Sequence, residues 1–395
     1  MEATQASWGR FYRPELDVVR FLAFFLVFLV HTLPSTRDPR VAHLLGGFGP
    51  AFDAIGDACG FGLSLFFALS AFLICELLLR ERDASGTIAV KQFYIRRILR
   101  IWPLYYLGLA LGVVFALLPG GQPAAIVDMG WFVIFMGSWY CVFHGALLNP
   151  ANVLWSVSVE EQFYLFAPWL IKYLNRKSLY GFCLTIILIA NLCLFYLGRV
   201  RAPHASVWCN TFVQFECFAG GILLCLVLHG RLPRLVIWQR LALLAGCLFC
   251  WFYACYGLHA FFGGYGGQNP GSWPLIFGWA LAALGCIMLL TAFLGVSPKL
   301  LPGWAIYLGR ISFGLYVYHL FAVDLMNRLI IQEVVSLDNP VVNSFKGLIF
   351  ILNFVFTLAL TILMAALSYR YFETPFLKMK KRHAIIDSQP IAGAD

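Results

Sequence analysis

The sequence predicts an all-α integral membrane protein that crosses the bilayer about ten times, with both termini in the cytoplasm. Three observations carry that prediction: an apolar composition, a series of apolar runs long enough to span, and an uneven distribution of basic residues between the loops. Hydrophobic residues make up 61% of the 395 positions and charged residues only 12%, with a mean hydropathy of +0.80. A soluble domain carries roughly 45–50% apolar and about 25% charged residues. The excess apolar area here calls for lipid. No polar stretch is long enough to hold a separate soluble domain, so 1–380 reads as one transmembrane domain. The short polar tail 381–395 is expected to be cytoplasmic and disordered.

A spanning helix needs about 20 mostly apolar residues, because each residue rises about 1.5 Å and the hydrocarbon layer is about 30 Å thick. In chain order such runs fall at 17–34, 59–79, 99–118, 155–173, 179–197, 212–229, 240–259, 273–295, 304–324 and 346–369. The first resembles a signal peptide in its basic head and short core, but no small-residue cleavage site follows and His31 closes the run. A further run near 126–143 is short and contains glycine. Charge decides how to treat it, since cytoplasmic loops are enriched in Lys and Arg. With an inner N-terminus and no crossing at 126–143, the outer side holds only Arg37, Arg40, Arg199, Arg201, Arg328 and Lys346. Arg310 then lies within a span and the remaining basic residues lie inside. A crossing at 126–143 would flip every later loop and erase the bias, so the segment is read as re-entrant or interfacial.

The net charge of +9 does not mark a nucleic-acid protein, because the basic residues sit in short clusters between apolar runs. The twelve cysteines are scattered through those runs. Cys247 and Cys250 have CxxC spacing but no His or acidic companion, so buried packing is the reading and no metal site is expected.

Ionisable residues inside a bilayer cost several kcal/mol unless paired or watered, which makes each a functional candidate. The first span carries Arg20 and His31, eleven residues or about three turns apart, so both share one face with a rise of roughly 16 Å between them. Arg20 suits a snorkelling anchor as well as a binding role, whereas His31 interrupts the run FLAFFLVFLVH and favours function. In FYIRRILRIWPLYY (93–106), Arg97 and Arg100 share a helical face at the inner boundary, where topology anchoring and a guanidinium pair aimed at phosphates fit equally well. The stretch WSVSVEEQFYLFAP (155–168) opens the fourth span from outside. Ser158 and Glu161 have capping-box spacing, so Glu161 is explained by a helix start, but Glu160 is not. Carboxylates beside an imidazole suit proton handling. By depth, Arg20, Arg97, Arg100 and Arg310 lie toward the cytosol, and His31, Glu160, Glu161, Glu216 and His319 lie in the outer half.

At these residues the chain resembles the membrane-bound acyltransferase-3 family, which includes bacterial O-acetyltransferases. The resemblance runs from Arg13 to about Lys378. It rests on RPELDVVRFLAFFLVFLVH with its Arg20 and His31 pair, FFALSAFLI (66–74), FYIRRILRIWPLYY, WSVSVEEQFYL, GRISFGLYVYH (309–319) and YRYFETP (369–375), in order. The chain departs from the pattern at Ser64, where the family often has Asp, and at Ala71, where it has Gly. The extracellular hydrolase-like domain fused in some members is expected to be absent.

The resemblance implies an enzyme of the plasma (bacterial inner) membrane that transfers an acyl group, acetyl in the simplest case, from cytosolic acyl-CoA to a hydroxyl. The acceptor would be a carbohydrate, a cell-envelope glycan or a small molecule. Acyl-CoA is a substrate in this reading, and no permanently bound cofactor or metal is implied. The catalytic candidates are His31, Glu160 and Glu161. The substrate-binding candidates are Arg20, Arg97, Arg100, Arg310 and His319. His31 acts either as general base or as a transient acyl carrier. The rival from another class is a transporter or flippase for an anionic or glycolipid substrate, since buried charges at two depths would also line a path.

Overall fold

The computed structural model describes residues 11–35, 48–262, 267–329 and 340–383. Among them every regular element is a helix. The predicted tail lies almost wholly outside the described residues.

Helix α1 (Pro14–Thr32) begins with a proline whose missing N–H costs nothing at a helix start, and Glu15 and Asp17 in its first turn face the positive end of the helix dipole. Its buried Leu16, Val19, Ala23, Val27 and Phe28 repeat at helical spacing, and Ala23 and Val27 meet the molecule's central helix at Gly62. Helix α2 (Gly49–Cys59) leads into that helix, α3 (Phe61–Ser85), which carries FFALSAFLI. The most apolar stretch of 49–85 is 78% buried against 17% for 348–380, so α3 forms the axis and the last long helix faces lipid.

Helix α4 (Val90–Leu117) is followed by three short helices, α5 (Ala125–Asp128), α6 (Gly130–Val133) and α7 (Gly137–His144), and a 3-10 turn at Pro150–Leu154. None of these is long enough to span. The Tyr105 hydroxyl donates to the Phe132 carbonyl at 2.6 Å and Gln162 donates to Phe135 at 3.0 Å, which ties the segment against α4 and α8 (Trp155–Tyr173). Then come α9 (Arg176–Arg199), α10 (His204–Trp208), α11 (Thr211–Leu228), α12 (Ile237–Tyr256) and α13 (Ser272–Phe293). Helix α11 packs tightly on α3, where a Cβ on Gly221 would overlap the Ala68 carbonyl. The chain closes with α14 (Gly303–Arg310), α15 (Ser312–Met326) and α16 (Pro340–Ser368), then a π turn at Tyr369–Glu373 and α17 (Thr374–Lys381).

Among the described residues, seven helices are long and apolar enough to cross a membrane, or eight if α14 and α15 count as one broken span. The two other runs read as spans from the sequence are α1 and α8. Each is a 19-residue helix, but Glu15, Asp17 and Arg20 charge the first, and Glu160, Glu161 and Lys172 the second.

Three expectations need correction. The 304–324 run is not one straight helix, because α14 meets α15 at 76° and Arg310 stands at the break. There α14 presses on α1 so closely that a Cβ on Gly309 would overlap the Asp17 carbonyl. The capping-box reading of Ser158 and Glu161 also fails. The helix starts at Trp155, and the Ser158 hydroxyl bonds back to the Leu154 carbonyl at 3.3 Å, so both residues are interior. Last, Glu160 does not lie apart from the arginines. The buried Ala151, Val153 and Leu154 carry the start of α8 into the bundle, and Glu160 lies beside Arg97 and Arg100.

Candidate functional site

Helices α1, α3, α4, α8 and α15 and the terminal segment 369–380 enclose a cavity of about 440 Å³, a size ordinary for a ligand site. Seven cationic side chains line it, Arg13, Arg20, Arg97, Arg100, Arg310, Lys378 and Lys380, against three carboxylates, Asp17, Glu160 and Glu373. Residues 12–13 and 378–380 share this lining, so both ends of the described chain lie at one end of the bundle.

The charges are held in two ways. Near α1 they neutralise one another. The Arg20 guanidinium donates to Asp17 at 2.7 Å, the Tyr12 hydroxyl donates to the other Asp17 oxygen at 2.9 Å, and Arg310 donates to the Tyr12 oxygen at 3.3 Å. Burial, and then the Asp17 carboxylate, push the Tyr12 hydroxyl above its ordinary pKa, so it stays a donor. Across the cavity the cations have no such partner. Among the described residues Arg97, Arg100, Lys378 and Lys380 form no ion pair. Arg97 instead lies over the rings of Phe93 and Tyr164 at 5.4 and 5.3 Å, and its Nε is buried without a hydrogen-bond partner. Guanidinium groups that face a cavity without a direct ion-pair partner suit the binding of a polyanion, although Glu160 stands among them.

Glu160 lines the cavity and accepts from Ser70 at 3.1 Å and from Tyr164 at 2.8 Å. Glu161, on another face of α8, does not line it and accepts from the Trp102 indole at 3.1 Å. Away from the charged end the walls become apolar, with Leu63, Phe66 and Phe67 from α3. The Tyr316 and Ser156 hydroxyls meet at 2.6 Å in the same wall.

Of the residues singled out in the sequence, Arg20, Arg97, Arg100, Arg310 and Glu160 meet in this cavity. His31 and His319 do not line it. Gly62 packs against Ala23 and Leu26, so the neighbouring Leu63 stands one to two turns, roughly 6–12 Å, short of His31 along α1. His319 is fully buried on α15, one turn beyond Tyr316. Its ring stands 5.5 Å from that of Tyr316 and 5.3 Å from that of His31, which is exposed at the far end of α1. Neither Glu160 nor Glu161 touches His31. Glu216 is buried on α11 outside the cavity.

Sequence reasoning missed Ser70, Tyr164, Ser156, Tyr316, Glu373, Lys378 and Lys380. Ser70 and Tyr164 lie inside motifs that were noted, but as framing. In the sequence the lysines read as ordinary inner-face charge, and nothing local announces the π turn and helix that carry them to the cavity.

A family model described as an acyltransferase domain matches residues 13–370. The peptidoglycan O-acetyltransferase OatA of Listeria monocytogenes is 25% identical over 402 residues, covering 94% of this chain and 57% of that protein. The O-acetyltransferase OatA of Staphylococcus aureus is 23% identical over 387 residues, covering 93% of this chain and 57% of that protein. The chain thus spans less than two thirds of the length of these curated relatives. No solved structure matches it.

Proposed function

On the premise that this chain belongs to the acyltransferase domain family, we propose that it transfers an acyl group, acetyl in the simplest case, from acyl-CoA to a hydroxyl. The acceptor class is a carbohydrate, with cell-envelope glycan favoured by the peptidoglycan enzyme among its relatives. The protein works as a multi-pass enzyme of the plasma membrane with ten spans, α1 and α8 included, and both termini in the cytoplasm. The shared position of residues 12–13 and 378–380 supports that topology, as does the basic charge gathered there.

The observation that carries this reading is the cavity with Arg97, Arg100, Lys378 and Lys380, free of ion pairs among the described residues, at one end and apolar walls at the other. Coenzyme A has that polarity: phosphates at one end, a thin pantetheine arm and a thioester at the other. The cations hold the phosphates, and the arm runs along Leu63, Phe66 and Phe67 toward Tyr316 and the histidines. Arg20 and Arg310, already joined to Asp17 and Tyr12, shape the wall at the phosphate end.

In the reaction His31 takes the proton of the acceptor hydroxyl. The acceptor oxygen attacks the thioester carbon, the C–S bond breaks with its electron pair on sulfur, and the thiolate takes up the proton. Glu160, held by Ser70 and Tyr164 inside the cavity, relays that same proton toward the departing thiolate. Glu161 supports Trp102 from outside it.

The test is release of free coenzyme A from acetyl-CoA by purified protein in liposomes, with cell-envelope extract as the acceptor pool. Release requires extract and falls at least about 10²-fold in His31→Ala, the usual worth of general-base assistance. Release unchanged in that variant would remove His31 from the chemistry. No release from acetyl- or longer acyl-CoA, with coenzyme A binding also absent, would favour transport without covalent chemistry.

A further inference from the structure

A catalytic base needs a third group to fix its ring and tautomer, and the carboxylates that the sequence offers for this are committed elsewhere. Glu160 is held by Ser70 and Tyr164, and Glu161 by Trp102. The group that stands beside His31 is His319, at 5.3 Å between ring centroids. Its Nδ1 lies 2.6 Å from the backbone carbonyl of Tyr316. A carbonyl only accepts, so Nδ1 carries the hydrogen, and in the neutral ring Nε2 is a bare lone pair. That Nε2 is buried with no hydrogen-bond partner among the described residues. A buried acceptor without a donor calls for explanation, and the polar ring that stands next to the His319 ring is His31. The rings of Phe24 and Tyr316 also stand against the His319 ring, at 6.3 and 5.5 Å between centroids.

We propose that His319 is the positioning residue of His31, an inference that rests on the reading of His31 as general base. His319 Nε2 accepts the N–H of one His31 nitrogen when substrate closes the site. The second His31 nitrogen is thereby left as a lone pair directed at the acceptor hydroxyl. When His31 takes the proton, the same contact stabilises the imidazolium, and the proton leaves His31 for the coenzyme thiolate after C–S cleavage. His319 gains and loses no proton through the cycle. A neutral imidazole locked by a backbone carbonyl thus fills the place that a carboxylate usually holds beside a catalytic histidine. The backbone lock also gives this site a fixed tautomer without placing a second negative charge near an incoming polyanionic donor.

The test compares His319→Leu and His319→Gln for kcat and donor KM, each alone and combined with His31→Ala. Leucine fills the apolar slot without an acceptor, whereas glutamine brings an amide oxygen back toward His31. His319→Leu loses about 10²-fold in kcat with donor KM changed less than about threefold, and His319→Gln recovers part of the loss. In the His31→Ala background, His319→Leu costs nothing further, because residues acting as one unit are non-additive. A merely structural role gives the reverse order of variants and an additive loss. Wild-type kcat in His319→Leu, or a loss that adds to that of His31→Ala, overturns the proposal while leaving His31 as base. Full activity in His31→Ala itself sinks the underlying reading instead. Unaltered coenzyme A affinity in each variant verifies that it is folded.

Discussion

Glu160 sits among cations that would attract a donor, so its charge weakens phosphate binding even as its hydrogen bonds to Ser70 and Tyr164 fix the wall. Glu160→Gln separates these effects. With proton handling as its role, kcat falls about 10²-fold while donor KM stays level or drops, since a negative charge facing the phosphates is gone. Steady-state kinetics with acetyl-CoA reads both numbers, and a retained kcat would reduce Glu160 to a wall residue. At this scale the sequence told much about Glu160 and little about its neighbours. A carboxylate in an apolar helix announces itself by its cost, whereas Ser70 and Tyr164 cost nothing where they stand and become visible only through the hydrogen bonds they donate. Ser64, where the family often has Asp, has a buried hydroxyl with no hydrogen-bond partner among the described residues and lies outside the cavity.

The elements that build the site are those that fit the spanning pattern least well. Helices α1 and α8 carry the charges that make them poor spans, α14 and α15 meet at a 76° break beside Arg310, and α17 reaches the cavity through a π turn. π turns occur mostly as single widened turns, often at functional sites. Apolar runs were legible because a run's length maps directly to bilayer thickness. The break at Ile311 was not, because apolar content continues through it; beside it Gly309 meets Asp17, a contact between segments distant in sequence. That contact makes a prediction for the element. Gly309→Leu must push α14 off α1, disturbing Asp17, Arg20 and Arg310 together. Overpacking of this kind typically costs about 1–3 kcal/mol. The variant is expected to unfold at lower temperature in detergent and to show a raised donor KM. A Tm and KM equal to wild type would mean that the α1–α14 crossing does not shape the cavity.

Across the whole molecule, cations drawn from residues as far apart as Arg13 and Lys380 converge at one end, whereas His31 stands at the far end of α1. Composition gave the all-helical membrane class, since it reports on solvent. The convergence was invisible to it, because Lys378 and Lys380 looked identical to ordinary inner-face lysines until the terminal helix was seen folded against α4. The central claim is that this convergence holds the phosphates of an acyl-CoA donor. It is tested most directly by titrating purified protein in liposomes with coenzyme A, comparing wild type with Arg97→Ala and Arg100→Ala. Hydrogen bonds to charged groups are worth about 1.5–3 kcal/mol each, so each variant is predicted to bind at least about tenfold more weakly, with wild-type affinity falling as salt is raised. Equal affinity in wild type and both variants would contradict the account and return the two arginines to anchors of the membrane's inner face.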